Sequence, residues 1–186
     1  MFGKQEYELV NGKEVMMSPA HYRHAVTQGN LLNIIGNYLR GKKCRVLSEF
    51  KVVFSDKYWL QPDILIICDK SKIKGTYIDG APDFVAEILS ATTYKRDIGI
   101  KKDIYEKYGV KEYWILDPRI ETVTVYILRE GKYILDNVYH NYHSDEWKQL
   151  DEEEKKEQSL TLKISLYDDL EINVKEIFED ANTLDI

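Results

Sequence analysis

Two acidic residues interrupt otherwise apolar stretches of this chain, and their type and spacing could do chemistry. Asp63 follows Pro62 in "QPDILII", and Glu87 lies within "FVAEILS". An ionised carboxylate is almost never fully buried unless something pairs with it. If the two stretches are neighbouring strands, both carboxylates can reach one hard cation such as Mg²⁺, which prefers oxygen ligands. The pattern predicts a divalent-metal site; the structural alternative is a strand cap or an ion pair with a lysine.

A second Pro-Asp pair offers a competing acid, Asp83. Asp83 precedes Glu87 by four residues of a predicted strand. At ~3.3 Å per residue that separation is about 13 Å, which is too long for one shared ion. Asp63 is therefore the better partner for Glu87.

The helix predicted after the Glu87 strand supplies a cation. At ~100° per residue, Ile98, Tyr105 and Tyr108 share one arc, and Lys101 falls inside it. A lysine on an apolar face points toward the sheet, whereas Lys102 lies at the edge of the arc. An ammonium beside a scissile phosphate stabilises developing negative charge. The alternative is a lysine whose stem packs while its head reaches water.

The first part of the chain is predicted from turn residues and periodicity. Asn-Gly in "YELVNGKEVMM" favours a type I′ hairpin. Ser18 and Pro19 are typical of a helix start, and the helix that follows ends before Gly41, with His24 and Gln28 on its inward face. Three strands follow, "CRVLSEFKVVF", "WLQPDILIIC" and "DFVAEIL", and the last two are apolar enough for the middle of a sheet.

The rest of the chain alternates loops with further elements. "DKSKIKGTYIDGAP" and "DEEEKKEQ" are predicted as loops, and a helix is predicted from about Lys95 to Tyr108. "KEYWILDP" is a strand, "TVTVYIL" and "GKYIL" form a hairpin, and the tail holds a short strand and a final helix.

Bulk composition bounds the class of protein. The 186 residues, 44% hydrophobic and 31% charged, predict one globular domain over 1–186. No run approaches the ~18 apolar residues of a membrane span, and the N-terminus lacks a signal-peptide pattern, so we expect a cytoplasmic protein with no membrane partner. Cys44 and Cys68 lie in apolar runs and are expected to be buried thiols rather than a disulfide or zinc pair. The net charge of −6 argues against non-specific coating of nucleic acid but allows a local basic cleft.

Three segments together resemble a known family: "YELVNGKEVMMSPAHYRH", "QPDILIICD" and "APDFVAEILSATTYKRDIGIKKDIYEKYGVKEYWILDP". They are similar to the Uma-type restriction endonuclease family, once catalogued as a domain of unknown function, within the PD-(D/E)XK nuclease superfamily. The resemblance is strongest over residues 7–118. It implies an α/β fold with a restriction-endonuclease-like core, a mixed central sheet flanked by helices, and β-hairpin additions at both termini.

The resemblance also implies Mg²⁺-dependent cleavage of a phosphodiester, with Mn²⁺ able to substitute. Asp63 and Glu87 would be metal ligands, joined by the carbonyl of Ile88. The lysine usually found two residues after the glutamate is absent, since Leu89 stands there, and the family moves it onto the next helix at Lys101. Ala91 replaces a proline common in relatives, which affects the turn geometry.

Two further residues are candidates for auxiliary roles. His24 matches a histidine of relatives, although a core histidine is an equal alternative. Glu49 in "VLSEFKV" could assist the metal, although exposed strand glutamates are common. Tyr105 also matches a family position, but an aromatic residue at helical spacing is more often core.

The sequence therefore predicts a Mg²⁺-dependent DNA endonuclease with Asp63, Glu87 and Lys101 as its catalytic residues. One alternative is a non-cleaving nucleic-acid- or partner-binding module that kept the fold. Another is a metal-dependent hydrolase of a different phosphate ester. Basic loop residues could follow a phosphate backbone, or could be merely solvated: Lys42, Lys43, Arg45, Lys70, Lys72, Lys74, Lys95 and Arg96. Analogy at the level of the fold predicts a homodimer, because duplex cleavage calls for two sites.

Overall fold

A mixed six-stranded sheet forms the centre of the computed structural model, which describes residues 7–183. Residues 1–6, on which part of the signal-peptide expectation rested, lie outside that range. The strand order is β11-β10-β9-β8-β6-β3, and only β8 and β9 run parallel. The strands are β3 Arg45–Ser48, β6 Ile64–Ile67, β8 Phe84–Ile88, β9 Glu112–Asp117, β10 Thr122–Arg129 and β11 Lys132–His140.

A five-stranded sheet built around the N-terminal hairpin packs near one face, in the order β2-β1-β5-β4-β7. Asn11 and Gly12 both have positive φ, 52° and 73°, so the predicted type I′ turn is confirmed. The strands are β1 Tyr7–Val10, β2 Lys13–Met16, β4 Val52–Ser55, β5 Tyr58–Leu60 and β7 Ile78–Asp79.

Helices flank the central sheet, as predicted. They are α1 Tyr22–Tyr38, α2 Lys102–Tyr108 and α5 Val174–Phe178. Two further short helices, α3 Ser144–Gln149 and α4 Glu152–Glu157, follow β11. Alternate residues of β8 contribute to two hydrophobic cores, one on each face of the central sheet. Phe84, Ala86 and Ile88 pack with α1 and α5, whereas Val85 and Leu89 pack with α2 and the second sheet. No helix within residues 7–183 combines the length and apolarity that crossing a membrane requires.

Two predicted strands are each divided between the sheets. "CRVLSEFKVVF" breaks at Glu49, whose φ is +48°, and "WLQPDILIIC" breaks at Pro62 and Asp63. The N–H of Glu49 donates to the carbonyls of Pro62 (3.1 Å) and Asp63 (3.3 Å). The two breaks are thus one corner, at which the chain passes from one sheet to the other and back.

The cysteine prediction is wrong, because Cys44 and Cys68 form a disulfide. In the antiparallel pair β3–β6, Arg45 lies opposite Ile67, so the next position outward places the two cysteines face to face. Their Cα atoms are 4.0 Å apart. A cross-strand register that no single segment reveals produced this pairing.

Three local predictions also need correction. Helix α1 begins at Tyr22 with His21 as its N-cap, so Ser18 and Pro19 precede the helix. "DEEEKKEQ" contains helix α4, because Asp151 and Glu154 form a reciprocal capping box. The tail contains two paired strands, β12 Thr161–Lys163 and β13 Glu171–Asn173, before α5.

Candidate functional site

Asp63 and Glu87 are brought together by strand register. In the antiparallel pair β6–β8, Ile64 lies opposite Ala86, so the same register extended by one residue sets Asp63 opposite Glu87. Directly opposite side chains share a face and have Cβ atoms roughly 5 Å apart. The prediction that the two strands are neighbours is confirmed, and both carboxylates lie on the face of the sheet that packs against α2.

Glu87 is buried, with 1% of its surface exposed, and it is engaged by the following helix. Its Oε1 accepts a hydrogen bond from the Lys101 ammonium at 3.0 Å and one from the Tyr105 hydroxyl at 2.5 Å. Burial raises the pKa of Glu87 well above its ordinary value, although the charge of Lys101 opposes that shift. Tyr105 is thus both a core residue and a direct partner of the glutamate.

Lys101 points at the sheet, as its helical position predicted, and three carboxylates surround it. Besides Glu87, its Nζ lies 3.1 Å from Oε1 of Glu8 and 3.6 Å from Oδ1 of Asp97. Burial alone would lower the pKa of Lys101, but the attraction of Glu87, Glu8 and Asp97 raises it. Lys101 is therefore held as a fixed positive charge.

Sequence reasoning missed Glu8 and Asp97. Glu8 is fully buried on β1, yet nothing in "YELV" shows that the hairpin folds back over the site. Asp97 is 2% exposed and lies one helical turn before Lys101. An i, i+4 acid–lysine pair is a signal that the sequence did contain.

The backbone of residues Arg96–Lys101 is π-helical, which corrects the predicted helical arc. Its hydrogen bonds run from i to i+5, so each residue turns through less than the ~100° of an α-helix. Ile98 consequently faces outward, with 40% of its surface exposed, while Asp97 and Lys101 face inward. Lys102 lies over the ring of Tyr126, 3.7 Å from its centroid.

His24 contacts the aspartate from α1. Its Nε2 lies 3.1 Å from Oδ2 of Asp63, and the side chain of Gln28 donates to the Asp63 carbonyl at 3.0 Å. Burial lowers the pKa of His24, but the hydrogen bond and charge of Asp63 outweigh it, so the net shift is upward. The N–H of Ile88 also donates to Oδ2 of Asp63, at 2.6 Å. Since the N–H and C=O of an extended residue point to the same side, the Ile88 carbonyl also faces β6.

The other predicted residues differ in their distance from this centre. Glu49, which directly follows β3, donates its backbone N–H to the Asp63 carbonyl, and the residue is exposed. Asp83 is removed from the site: it accepts from the N–H of Cys68 at 2.9 Å and pairs with Lys111 at 2.8 Å. Three of the basic residues considered for phosphate binding donate instead to nearby backbone carbonyls, namely Arg45, Lys72 and Lys74.

The donor set suits a hard divalent cation. The carboxylates of Glu8, Glu87 and Asp97 lie around the Lys101 ammonium, and Glu8 Oε2 and Asp97 Oδ1 are buried without a hydrogen-bond donor. Within residues 7–183, no three acidic, histidine or cysteine side chains already converge as a complete ligand set. Mg²⁺ commonly binds through one or two carboxylates, with water and substrate phosphate completing its shell. The residues present therefore fit such an ion at Asp63 and Glu87.

Comparisons with known proteins agree with this fold. The chain is similar to a crystal structure from Anabaena variabilis ATCC 29413, described as a putative nuclease belonging to DUF820. The two share 20% identity over 92% of this chain and 89% of that one, with a TM-score of 0.69. The DrdV–DNA complex matches at 10% identity over 69% of this chain and 11% of that one, with a TM-score of 0.42. A comparison with curated proteins gave no significant match.

The fold is that of a restriction-endonuclease-like nuclease, which confirms the predicted fold class. A family model described as "Uma2: Putative restriction endonuclease" matches residues 2–165. The chain belongs to this Uma2 family, so the resemblance seen in the sequence is confirmed.

Proposed function

We propose that this protein is a Mg²⁺-dependent endonuclease that cleaves phosphodiester bonds of DNA. The observation that carries the proposal is the opposition of Asp63 and Glu87 on adjacent strands, with the Lys101 ammonium 3.0 Å from Glu87. The match to the Uma2 family and the similarity in fold support the general assignment to the nucleases. Metal dependence and the choice of DNA rest on the site geometry and on the resemblance.

Asp63, Glu87 and the carbonyl of Ile88 would hold the cation. Bound there, Mg²⁺ supplies Lewis acidity toward a phosphate oxygen and an activated water. Lys101 sets its positive charge where negative charge develops on phosphorus, and its burial makes that charge effective. His24 and Tyr105 are positioning residues that fix the Asp63 and Glu87 carboxylates, and Glu49 is an auxiliary acid at the rim.

Metal-binding calorimetry with Mn²⁺, followed by a plasmid-nicking assay, tests the proposal. Asp63→Asn should lose Mn²⁺ binding and nicking while keeping its circular dichroism spectrum. Asp83→Asn is the matched control, because it changes the other Pro-Asp pair, whose contacts lie with Lys111 and Cys68. Unchanged Mn²⁺ affinity in Asp63→Asn would show that the metal site is elsewhere.

The same assay separates the rival functions. Metal binding without nicking of DNA would favour a binding module that kept the fold. Cleavage of RNA or of small phosphate esters, but not DNA, would move the protein to another hydrolase class. Sedimentation of the chain with and without duplex tests the proposed homodimer.

A further inference from the structure

An open depression of about 650 Å³ lies where the parallel strands β8 and β9 end. Its lining includes Thr92, Tyr94 and Lys95 from the segment after β8, and Arg119 and Ile120 from the turn after β9. In open α/β sheets, ligands bind in crevices outside the carboxyl ends of the strands. The depression begins four residues after Glu87, which is at most about 13 Å of extended chain.

The aromatic wall of this depression is held on a rigid turn. The N–H of Thr93 donates to the Ser90 hydroxyl at 3.2 Å, and the N–H of Ser90 donates to the Thr93 hydroxyl at 3.3 Å. The N–H of Tyr94 donates to the Ser90 carbonyl at 3.1 Å. Tyr94 nevertheless is an exposed residue, with 40% of its surface accessible. A fixed backbone with an exposed aromatic residue makes a preformed stacking platform.

The facing guanidinium is fixed as well. Asp117 binds Arg119 through two bonds, Nε to Oδ1 at 3.0 Å and Nη2 to Oδ2 at 2.6 Å. The Arg119 carbon Cζ lies 5.7 Å from the centroid of the Tyr94 ring, and 48% of the arginine side chain is exposed. Asp117 offsets one positive charge, so Lys95 leaves the depression with a net positive charge. That combination suits a planar ligand carrying a phosphate.

We propose that this depression binds an unpaired nucleotide next to the scissile phosphate, with its base stacked on the exposed part of Tyr94 beside Arg119 and its phosphate on Lys95. Bases stack on aromatic rings and on arginine planes in single-stranded recognition. The proposal rests on the proposed nuclease function and adds a preference for substrates with an unpaired nucleotide. A fully paired duplex has no free base face to place there.

Binding measured without added metal tests this inference separately from cleavage. The probes are a 12-nucleotide single strand carrying 2-aminopurine, the same strand in a paired duplex, and that duplex with one unpaired 2-aminopurine. Stacking on Tyr94 should quench 2-aminopurine in the first and third probes. Tyr94→Ala should weaken their binding about tenfold and abolish the quench, while Tyr94→Phe should keep both.

Leu135→Ala is the control. Leu135 is a 52% exposed residue of β11 that pairs with Tyr126, which in turn pairs with the start of β9. The depression lies at the other end of β9. Equal affinities of Tyr94→Ala and the parent would overturn the inference, as would no binding of any probe or equal loss on the paired duplex. A Mg²⁺ cleavage assay with Glu87→Gln reports separately on the nuclease proposal. If the parent binds the probes through Tyr94 but does not cleave DNA, the nucleotide-binding proposal holds and the nuclease proposal is wrong.

Discussion

The Nζ atom of Lys101 lies 3.0 Å from Oε1 of Glu87, although the two residues are 14 positions apart in sequence. This ion pair joins the end of β8 to the helix that follows it. Because Glu8 and Asp97 contact the same ammonium, the pair belongs to a buried network and not to a surface bridge. Its charges are accordingly little screened by water.

Two single substitutions, Lys101→Met and Lys102→Met, test which of these neighbouring lysines acts at the proposed site. Lys101→Met should lower the single-turnover cleavage rate at saturating Mg²⁺ by about 3 kcal/mol of transition-state stabilisation. Lys102→Met should cost far less, because Lys102 lies over the ring of Tyr126 and does not contact Glu87. Loss of the buried ammonium also destabilises the fold, by about 3–5 kcal/mol, so rates are compared where circular dichroism shows folded protein. Equal rate losses in the two variants would remove Lys101 from the mechanism.

Nucleic-acid affinity should fall steeply with salt. The protein carries a net charge of −6, so phosphate must approach through local cations and not the body of the molecule. For duplex DNA we expect a loss of about 0.9 log unit of affinity per log unit of salt for each phosphate contacted. Lys95→Gln should reduce that slope by about one contact in a fluorescence anisotropy titration. A flat salt dependence would point to a ligand other than nucleic acid.

Stability should depend on pH through Glu112, which lies outside the proposed site. Burial raises the pKa of Glu112 above its ordinary value of 4.5, although Ser165 and Trp114 donate to its carboxylate. The folded state therefore holds the proton more tightly than the unfolded state, and the free energy of unfolding falls as pH rises from 4.5 through the folded pKa. Urea titrations of Glu112→Gln should lack this fall. Parallel pH profiles for parent and variant would contradict the assignment.

The disulfide should contribute measurably to stability. Cys44 and Cys68 are separated by 24 positions, and closing a loop of that size is worth about 3.5 kcal/mol in the chain-entropy model. A Cys44→Ser, Cys68→Ser double variant should show that loss in urea unfolding. The parent under a phosphine reductant should match the double variant. If reductant leaves the parent unchanged while Ellman's reagent, added after the phosphine has been removed, detects no thiols, the bond was never reduced and stronger conditions are required. If thiols appear without loss of stability, the prediction is wrong.

Local pattern predicted the elements that carry the site, because each of its main residues breaks a strong periodicity. Asp63 and Glu87 interrupt apolar strands, and Lys101 interrupts a helical face. Non-local pairing was beyond the same reasoning. The contact of Glu8 with Lys101 depends on where a hairpin folds back, and the Cys44–Cys68 bond depends on a register between separate strands.

Two local errors have different causes. An α-helical angle of ~100° per residue predicts Ile98 inward, but the turn is π-helical, and no propensity argument distinguishes these alternatives. The short helix α4 was missed although Asp151 and Glu154 stand at capping-box spacing. The charged composition of that segment favours a loop, whereas the capping-box spacing favours a helix, and the specific pattern prevails.

The cross-strand disulfide has a practical consequence for experiments on chain integrity. The exposed turn at Asp56 and Lys57 lies between the two cysteines, and trypsin cleaves after lysine. A nick there leaves the two fragments covalently joined, so a non-reducing gel shows one band at the intact mass. The same sample run with reductant separates into two peptides, and only that second gel reports whether the chain was cut.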